Sequence, residues 1–300
     1  IHGADYPHFL TSEWALPYRQ QRIEQLLEAR PRHGVGDLRR LQADERSLAV
    51  ARLLPWLRAA RPAHPLADAA HRQLDGFDGL MAADHAAPLI YWAWHRQMAR
   101  SVFGDEIGAE LFEKSFATRS FQDALEGVRD RDDAWWCDDK ATPAAETCAQ
   151  VAERALAAAL DELAARFGDD PATWRWGDAH QARSEHRPFS HVGLLARWFE
   201  LRVPVGGDSF TVNVGRVGLR PDKRTGELYL NEHGPSLRAV YDVGDRSRSV
   251  VMHSSGQSGL PWSGHYRHFS VPWAAGDAVP LWPSAGQAPA STMLVLPVRR

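Results

Sequence analysis

Residues 234–277 read GPSLRAVYDVGDRSRSVVMHSSGQSGLPWSGHYRHFSVPWAAGD. Two short apolar, β-branched runs, 237–243 and 249–253, flank a Gly-Asp turn at Gly244 and Asp245, a pattern that predicts a pair of strands. A glycine-punctuated loop follows, Ser255-Gly256-Gln257-Ser258-Gly259, and then Pro261, His265, Tyr266 and an amphipathic segment around Trp273. Glycines this dense beside a strand end mean that the backbone turns with positive φ or lies closely against something, which places the loop near a functional cleft.

Working outward, the same composition extends back to Trp174, with Gly, Pro, His and β-branched residues dominant. Alternation at 210–214 and 228–230 predicts further strands, and the apolar run 291–298 predicts a closing one. Before Trp174 the chain reads almost entirely as helix. Pro17 opens a helix to about Ala29 with Ile23, Leu26 and Leu27 as its buried stripe. Asp37 caps a second, in which Leu38, Leu41, Leu48, Leu53, Leu54 and Leu57 recur until the Arg61-Pro62 break. Gln42, Asp44 and Ser47 fall between those leucines and are expected on a solvated side rather than reaching the first helix. A short helix at 66–74 ends in the turn 75–79, whose aspartates lack the spacing of a calcium-binding EF-hand loop. Residues 84–103 are apolar nearly all round, the mark of a helix buried between others. Helices at 106–115 and 119–129 follow, then an alanine-rich one over 147–167 with Val151, Leu156, Leu160 and Leu163 on one stripe and Gly168 as its stop. The result is an α+β arrangement, with 1–173 mainly helical and 174–300 β-rich.

Three hundred residues with 44% apolar content can bury a sizeable core. The 35 basic and 38 acidic residues leave a net charge of -3 with no basic stripe, which argues against nucleic acid and for a neutral, small-molecule partner. No apolar run approaches the roughly 20 residues that span a bilayer. Ile1 does not open a signal peptide, and the chain is expected to be a piece of something longer. Cys137 and Cys148 flank a polar loop carrying Pro143, a spacing that suits a local disulfide and an oxidising compartment; two unconnected thiols are the alternative.

Several residues invite a chemical reading. His180, His186, His253, His265 and His268 are the candidate imidazoles, and His265 with His268 at i and i+3 offers two to a metal. No H-E-x-x-H pattern supports that, however. Ser254 or Ser258 with His253 and Asp242 or Asp245 makes a hydrolytic triad on paper, without a nucleophile elbow around either serine. His180 and His186 read better as core histidines bonded to strand backbone. Arg19 and Arg22 stand on the first turn of the first helix, where the macrodipole disfavours cations.

The blocks GPSLRAVYDVGD (234–245), GQSGLPWSGHY (256–266) and W-x-x-G-D-x-x-P-L-W (273–282) resemble, in order and spacing, the end of the β chain of penicillin acylases, the penicillin amidase family of N-terminal-nucleophile hydrolases. WALPYRQQRIEQLL (14–27) and WGDAHQARSEH (176–186) extend the resemblance over nearly the whole chain. It implies the C-terminal part of an αββα sandwich, left as helices and re-entered as strands. It also implies amide hydrolysis of an N-acyl compound, of β-lactam or acyl-homoserine lactone type, through an acyl-enzyme formed on a serine whose own α-amine is the base. Arg19 matches an arginine that orients substrate and the oxyanion-binding asparagine. That asparagine, just upstream of the Arg19 motif, and the nucleophile, at the start of the β chain, are expected before Ile1, so the polypeptide is expected to be inactive alone, with the α chain and the N-terminal part of the β chain of the same precursor as its partners. No cofactor is expected in this segment. Calcium is possible in the complete enzyme, although neither Asp5 nor Glu13 aligns cleanly with a ligand. A periplasmic or secreted location follows. The competing expectations are a non-catalytic structural or binding fragment and an independent histidine-dependent hydrolase.

Overall fold

The computed structural model describes residues 6–11, 14–116 and 121–282. The closing strand expected over 291–298 lies outside the described residues, as do Ile1, Asp5 and Glu13. The first half runs α1 (Tyr18–Glu28), α2 (Val35–Gln42), α3 (Val50–Ala59), α4 (Ala67–Leu74), α5 (Ala87–Ile107), α6 (Ala109–Phe116), α7 (Gln122–Asp130) and α8 (Cys148–Phe167). The second half runs α9 (Trp176–Ala179), β1 (Gln181–Ser184), α10 (Gly193–Phe199), β2 (Leu201–Pro204), β3 (Arg216–Val217), β4 (Asn231–His233), β5 (Leu237–Val240), β6 (Val250–His253), α11 (Ser270–Ala274) and β7 (Val279–Pro280).

The helical half is built around α5, in which 14 of 21 residues are buried, as expected of a helix apolar on every face. Its main partner is α8, whose buried stripe of Val151, Ala155, Leu156, Ala159, Leu160 and Leu163 is rich in alanine and lets the two backbones approach. The Trp94 indole N–H donates to the Ala152 carbonyl at 3.2 Å, so this large buried ring leaves no orphaned donor. Thr147 and Gln150 cap α8 reciprocally, each backbone N–H meeting the other's side chain at 2.9 and 3.3 Å. Arg96 ties this core to the second half by donating to the Leu219 carbonyl at 2.8 Å and to Glu162 at 2.9 Å.

Two small sheets form the second half. One has the order β2-β1-β4-β3, with β1 antiparallel to β2 and parallel to β4. The other is antiparallel, β5-β6-β7, with Leu237 opposite His253 and Val240 opposite Val250, so the predicted hairpin forms about the Gly244-Asp245 turn. Helix α11 lies beside β2 and β6, and Trp273, Val203, Val205 and Met252 make a small separate core there.

The structure departs from expectation at five places. The leucine-periodic helix from Asp37 is interrupted over 43–49, because this linker takes its backbone bonds from 79–81 instead of from itself: Ser47 N donates to the Gly79 carbonyl at 2.8 Å and Met81 N to the Glu45 carbonyl at 2.9 Å. Gly79 permits this with φ 92°, since a Cβ there would lie 2.5 Å from the Ser47 oxygen. Asp37 is the third residue of α2 and accepts from Gly34 N at 3.0 Å rather than occupying the cap itself. Gln42, Asp44 and Ser47 turn inward: Gln42 donates to the Ala239 carbonyl at 3.0 Å, Asp44 holds Arg22 of α1, and Ser47 is buried. The stripe on α1 is shallow, with Ile23 and Leu26 half-buried and Leu27 exposed, and Tyr18 is the buried residue. Residues 210–214 are turn and bend rather than strand, because the Asp208 carboxylate captures the Phe210 and Thr211 backbone donors that a ladder would have used, and 228–230 is irregular, with Tyr229 at φ 67° and its N–H donated to the Gly218 carbonyl.

Candidate functional site

Arg19 is the residue singled out by sequence, and α1 carries it to the turn at 208–213. Its Nε donates to the Thr211 carbonyl and its Nη2 to the Ser209 carbonyl, both at 2.8 Å. The third nitrogen, Nη1, has no partner among the described residues. The turn is set from inside by Asp208, which is 0% exposed and accepts from Phe210 N at 2.7 Å and Thr211 N at 3.0 Å. Burial pushes the Asp208 carboxyl up to about 6, partly offset by those bonds and by the nearby Arg19 charge. Two neighbours hold the rest of the first turn of α1. Tyr18 donates to Glu126 at 2.5 Å and packs edge-on against Phe210, and Arg22 makes a two-point pair with Asp44 at 2.9 and 2.7 Å. The cations placed against the helix dipole thus have partners across the chain, which answers why they tolerate that end.

A buried polar chain runs behind this turn. Arg238 of β5 donates to the Asn213 side-chain oxygen at 2.5 Å and to the Trp273 carbonyl at 2.7 Å, and its guanidinium lies over the Trp273 ring at 5.0 Å. Asn213 in turn donates to Glu45 Oε1 at 3.1 Å. Burial raises the Glu45 carboxyl to about 7 against the opposing effects of Asn213 and Arg238, and lowers the Arg238 guanidinium to about 10.

The other sequence candidates are dispersed. His180 is enclosed, with Nδ1 at 2.8 Å from the Tyr229 carbonyl and its ring stacked on Trp176 at 4.4 Å; burial lowers it to about 4, so it is neutral at physiological pH. His186 stacks on Phe189 and meets Phe199 edge-on rather than bonding strand backbone through its ring, and its Nδ1 has no partner among the described residues. His253 meets Ser255, and His268 meets the backbone oxygen of His265 at 3.1 Å. Asp242 and Asp245 spend their oxygens on the turn they flank and on Arg248. Ser258 accepts from Leu260 N at 3.1 Å, so no Ser/His/Asp relay assembles among these residues. The GQSG loop is a close backbone approach: Gln257 N donates to the His265 carbonyl at 2.8 Å, and a Cβ on Gly256 would lie 1.9 Å from that same oxygen. Cys137 and Cys148 are joined as a disulfide with Cα atoms 5.0 Å apart, linking the turn before α8 to its first residue. Among the described residues no three His, Cys, Asp or Glu side chains gather as a metal site, and no helix is long and apolar enough to cross a membrane.

A family model for penicillin amidase matches residues 1–290. The chain belongs to the penicillin amidase family. Similar curated proteins include an acyl-homoserine lactone acylase, QuiP, of Pseudomonas aeruginosa, 31% identical over 302 residues covering 90% of this chain and 35% of that protein. A penicillin acylase 2 proenzyme of Pseudomonas sp. strain SE83 is 31% identical, covering 92% of this chain and 34% of that one. The thermostable penicillin G acylase of Alcaligenes faecalis superposes with a TM-score of 0.56 at 14% identity, over 99% of this chain and 56% of that one, a likeness of fold. The chain therefore spans about a third of the length of the curated relatives it matches.

Within this member of the penicillin amidase family, Asp208, Asn213, Glu45 and Arg238 are the structured polar residues that sequence reading did not single out. Asp208 carried a signal, because Asp-Ser-x-Thr at 208–211 is an Asx-turn pattern that competes with a strand. Glu45 and Arg238 carried none, since their link runs through Asn213 from three distant parts of the chain.

Proposed function

We propose that this chain is the supporting C-terminal part of a penicillin-acylase-like amidohydrolase that cleaves the amide of an N-acyl compound, with an acyl-homoserine lactone or a β-lactam as the substrate type. The observation that carries the reading is Arg19, fixed by two backbone carbonyls with Nη1 left over. A guanidinium immobilised in this way offers its remaining donors to a carbonyl or carboxylate without paying further ordering entropy. The family match and the acylase names of the relatives supply the reaction class.

On this reading the attacking atom, a serine hydroxyl with its own α-amine as base, and the oxyanion-binding asparagine lie on the N-terminal part of the β chain of the same precursor, whose α chain is the other partner. The described histidines and serines are scaffold. The acyl group passes to the serine and then to water, while Arg19 orients the substrate and the asparagine. The surface fits a partner. Large apolar side chains stand exposed on α10 and the 260s loop, among them Leu194, Trp198, Leu260 and Trp262, and the relatives have twice this chain's length still to place. The disulfide favours a periplasmic or secreted enzyme. Calcium, if the complete enzyme holds it, finds no ready ligand group among the residues described here.

Two measurements test this. Intact-mass and N-terminal analysis of the enzyme purified from its source should find a companion polypeptide opening with Ser, Thr or Cys; a chain that purifies alone contradicts the reading. In that assembly Arg19→Ala should lower kcat/KM about a hundredfold, the scale for losing one preorganised charge-stabilising donor, whereas unchanged kinetics would remove Arg19 from the site.

A further inference from the structure

The linker 43–45, the end of β2 and α11 line an open cleft of about 530 Å³. Its walls are apolar, formed by Ala82, Val203, Val205 and Val271, and its polar groups include the carboxylates of Glu45 and Asp84. No Lys, Arg or His lines it among the described residues. The Glu45 carboxylate lies flat on Gly206, where a Cβ would come within 2.1 Å of Oε2. Its Oε1 is taken by Asn213 at 3.1 Å, whereas Oε2 has no hydrogen-bond partner among the described residues and is not among their enclosed polar atoms, so it borders the cleft.

We propose that this cleft is a binding site for a small organic cation, a protonated amine on a short aliphatic body, whose ammonium group pairs with Oε2 of Glu45. The chemistry is complementary on both counts. An aliphatic chain of a few carbons replaces water against the valine and alanine walls, at about 0.8 kcal/mol per buried methylene. The ammonium supplies the charge-assisted bond that Oε2 lacks, in a place where Asn213 already fixes the carboxylate's orientation. An anion is disfavoured by Glu45 and by Asp84 at the rim, and a neutral body of the same shape forgoes the ion pair. Arg238 is near enough to act on Glu45 electrostatically, but its own bonds run to Asn213 and Trp273, so it does not compete for Oε2.

The groups facing Glu45 set a pH signature. Burial, Asp44 and Asp84 raise its carboxyl, Asn213 and Arg238 lower it, and the balance is about 7. An alkylammonium stays charged well above that, so the carboxyl is the group whose ionisation gates binding.

The probe is n-butylammonium, titrated calorimetrically into the complete assembled enzyme, with n-butanol as its uncharged counterpart. Affinity for butylammonium should fall at least tenfold between about pH 8.5 and about pH 5.5, and should exceed that for butanol about tenfold or more at the higher pH. Glu45→Gln keeps an acceptor for Asn213 and should bring the two probes level and abolish the pH dependence. Val271→Lys, at a rim position that is 70% exposed, leaves the core intact and should weaken butylammonium severalfold without affecting butanol. Equal affinity for the two probes, pH-independent binding of butylammonium, or no measurable heat with either would overturn the proposal. Because only binding is read, the outcome is independent of the deacylase reading.

Discussion

Trp94 and Trp198 both sit on helices, yet Trp94 is 0% exposed and Trp198 is 64% exposed. The same contrast separates the two halves of the molecule. Around α5 and α8 one continuous core takes in the tryptophans of four different segments, and its members extend as far as Tyr229. Around β2, β6 and α11 the buried core is four residues, and large apolar side chains at 192–198, 241–243 and 260–262 face outward. A region that encloses its apolar surface is stabilised by its own packing, while one that leaves it outside depends on what covers it. On the function proposed above, the helical half is the self-sufficient excursion, and the β-rich half is the seam to the remaining two-thirds of the enzyme.

Substitutions can break this contrast. Trp94→Ala should cost about 3 to 5 kcal/mol in urea unfolding followed by far-UV circular dichroism, because it opens a cavity between α5 and α8; Trp198→Ala should change stability by no more than about 0.5 kcal/mol. Equal losses at the two positions would mean that the halves are alike. Replacing Cys137 and Cys148 together by serine should cost about 2 to 3 kcal/mol for the 11-residue separation they close, read as a lower Tm that a reductant no longer affects. Gly207→Ala tests the join between the halves. Gly207 has φ 80° and a Cβ there would lie 2.2 Å from the Asn213 oxygen, so the loss should be about 1 to 3 kcal/mol, and no loss would show that the 207–213 turn is loose.

A further effect is one of pH. The Glu45 carboxyl rises from 4.5 to about 7 on folding. A raised acid favours the folded state below its unfolded value, and this contribution is lost as pH rises through about 7. Unfolding free energies of wild type and Glu45→Gln should therefore draw apart in the variant's favour between about pH 4.5 and about pH 7.5. Curves that stay parallel would show that Glu45 is not desolvated.

How much the sequence told depended on whether a signal was local. The α5 helix, apolar on every face, and the hairpin about Gly244 and Asp245 were legible because each is decided by its own residues. The cysteine pair was legible for the same reason. The break at 43–49 was not, because leucine periodicity runs through it and the competing bonds come from 79–81. Nor were the irregular stretches 210–214 and 228–230, whose alternation mimics strands while Asp208 and Tyr229 bend the chain. At the site, Arg19 stood out through its motif, but Asp208 beneath it and the Glu45, Asn213, Arg238 chain behind it exist only once distant segments meet.

The most direct measurement is hydrolysis of an N-acyl homoserine lactone by this polypeptide purified alone, followed by the same assay after its companion chains are restored. The account predicts no amine release above the blank in the first case and steady turnover in the second. Turnover by the lone polypeptide at an enzymatic rate would contradict it.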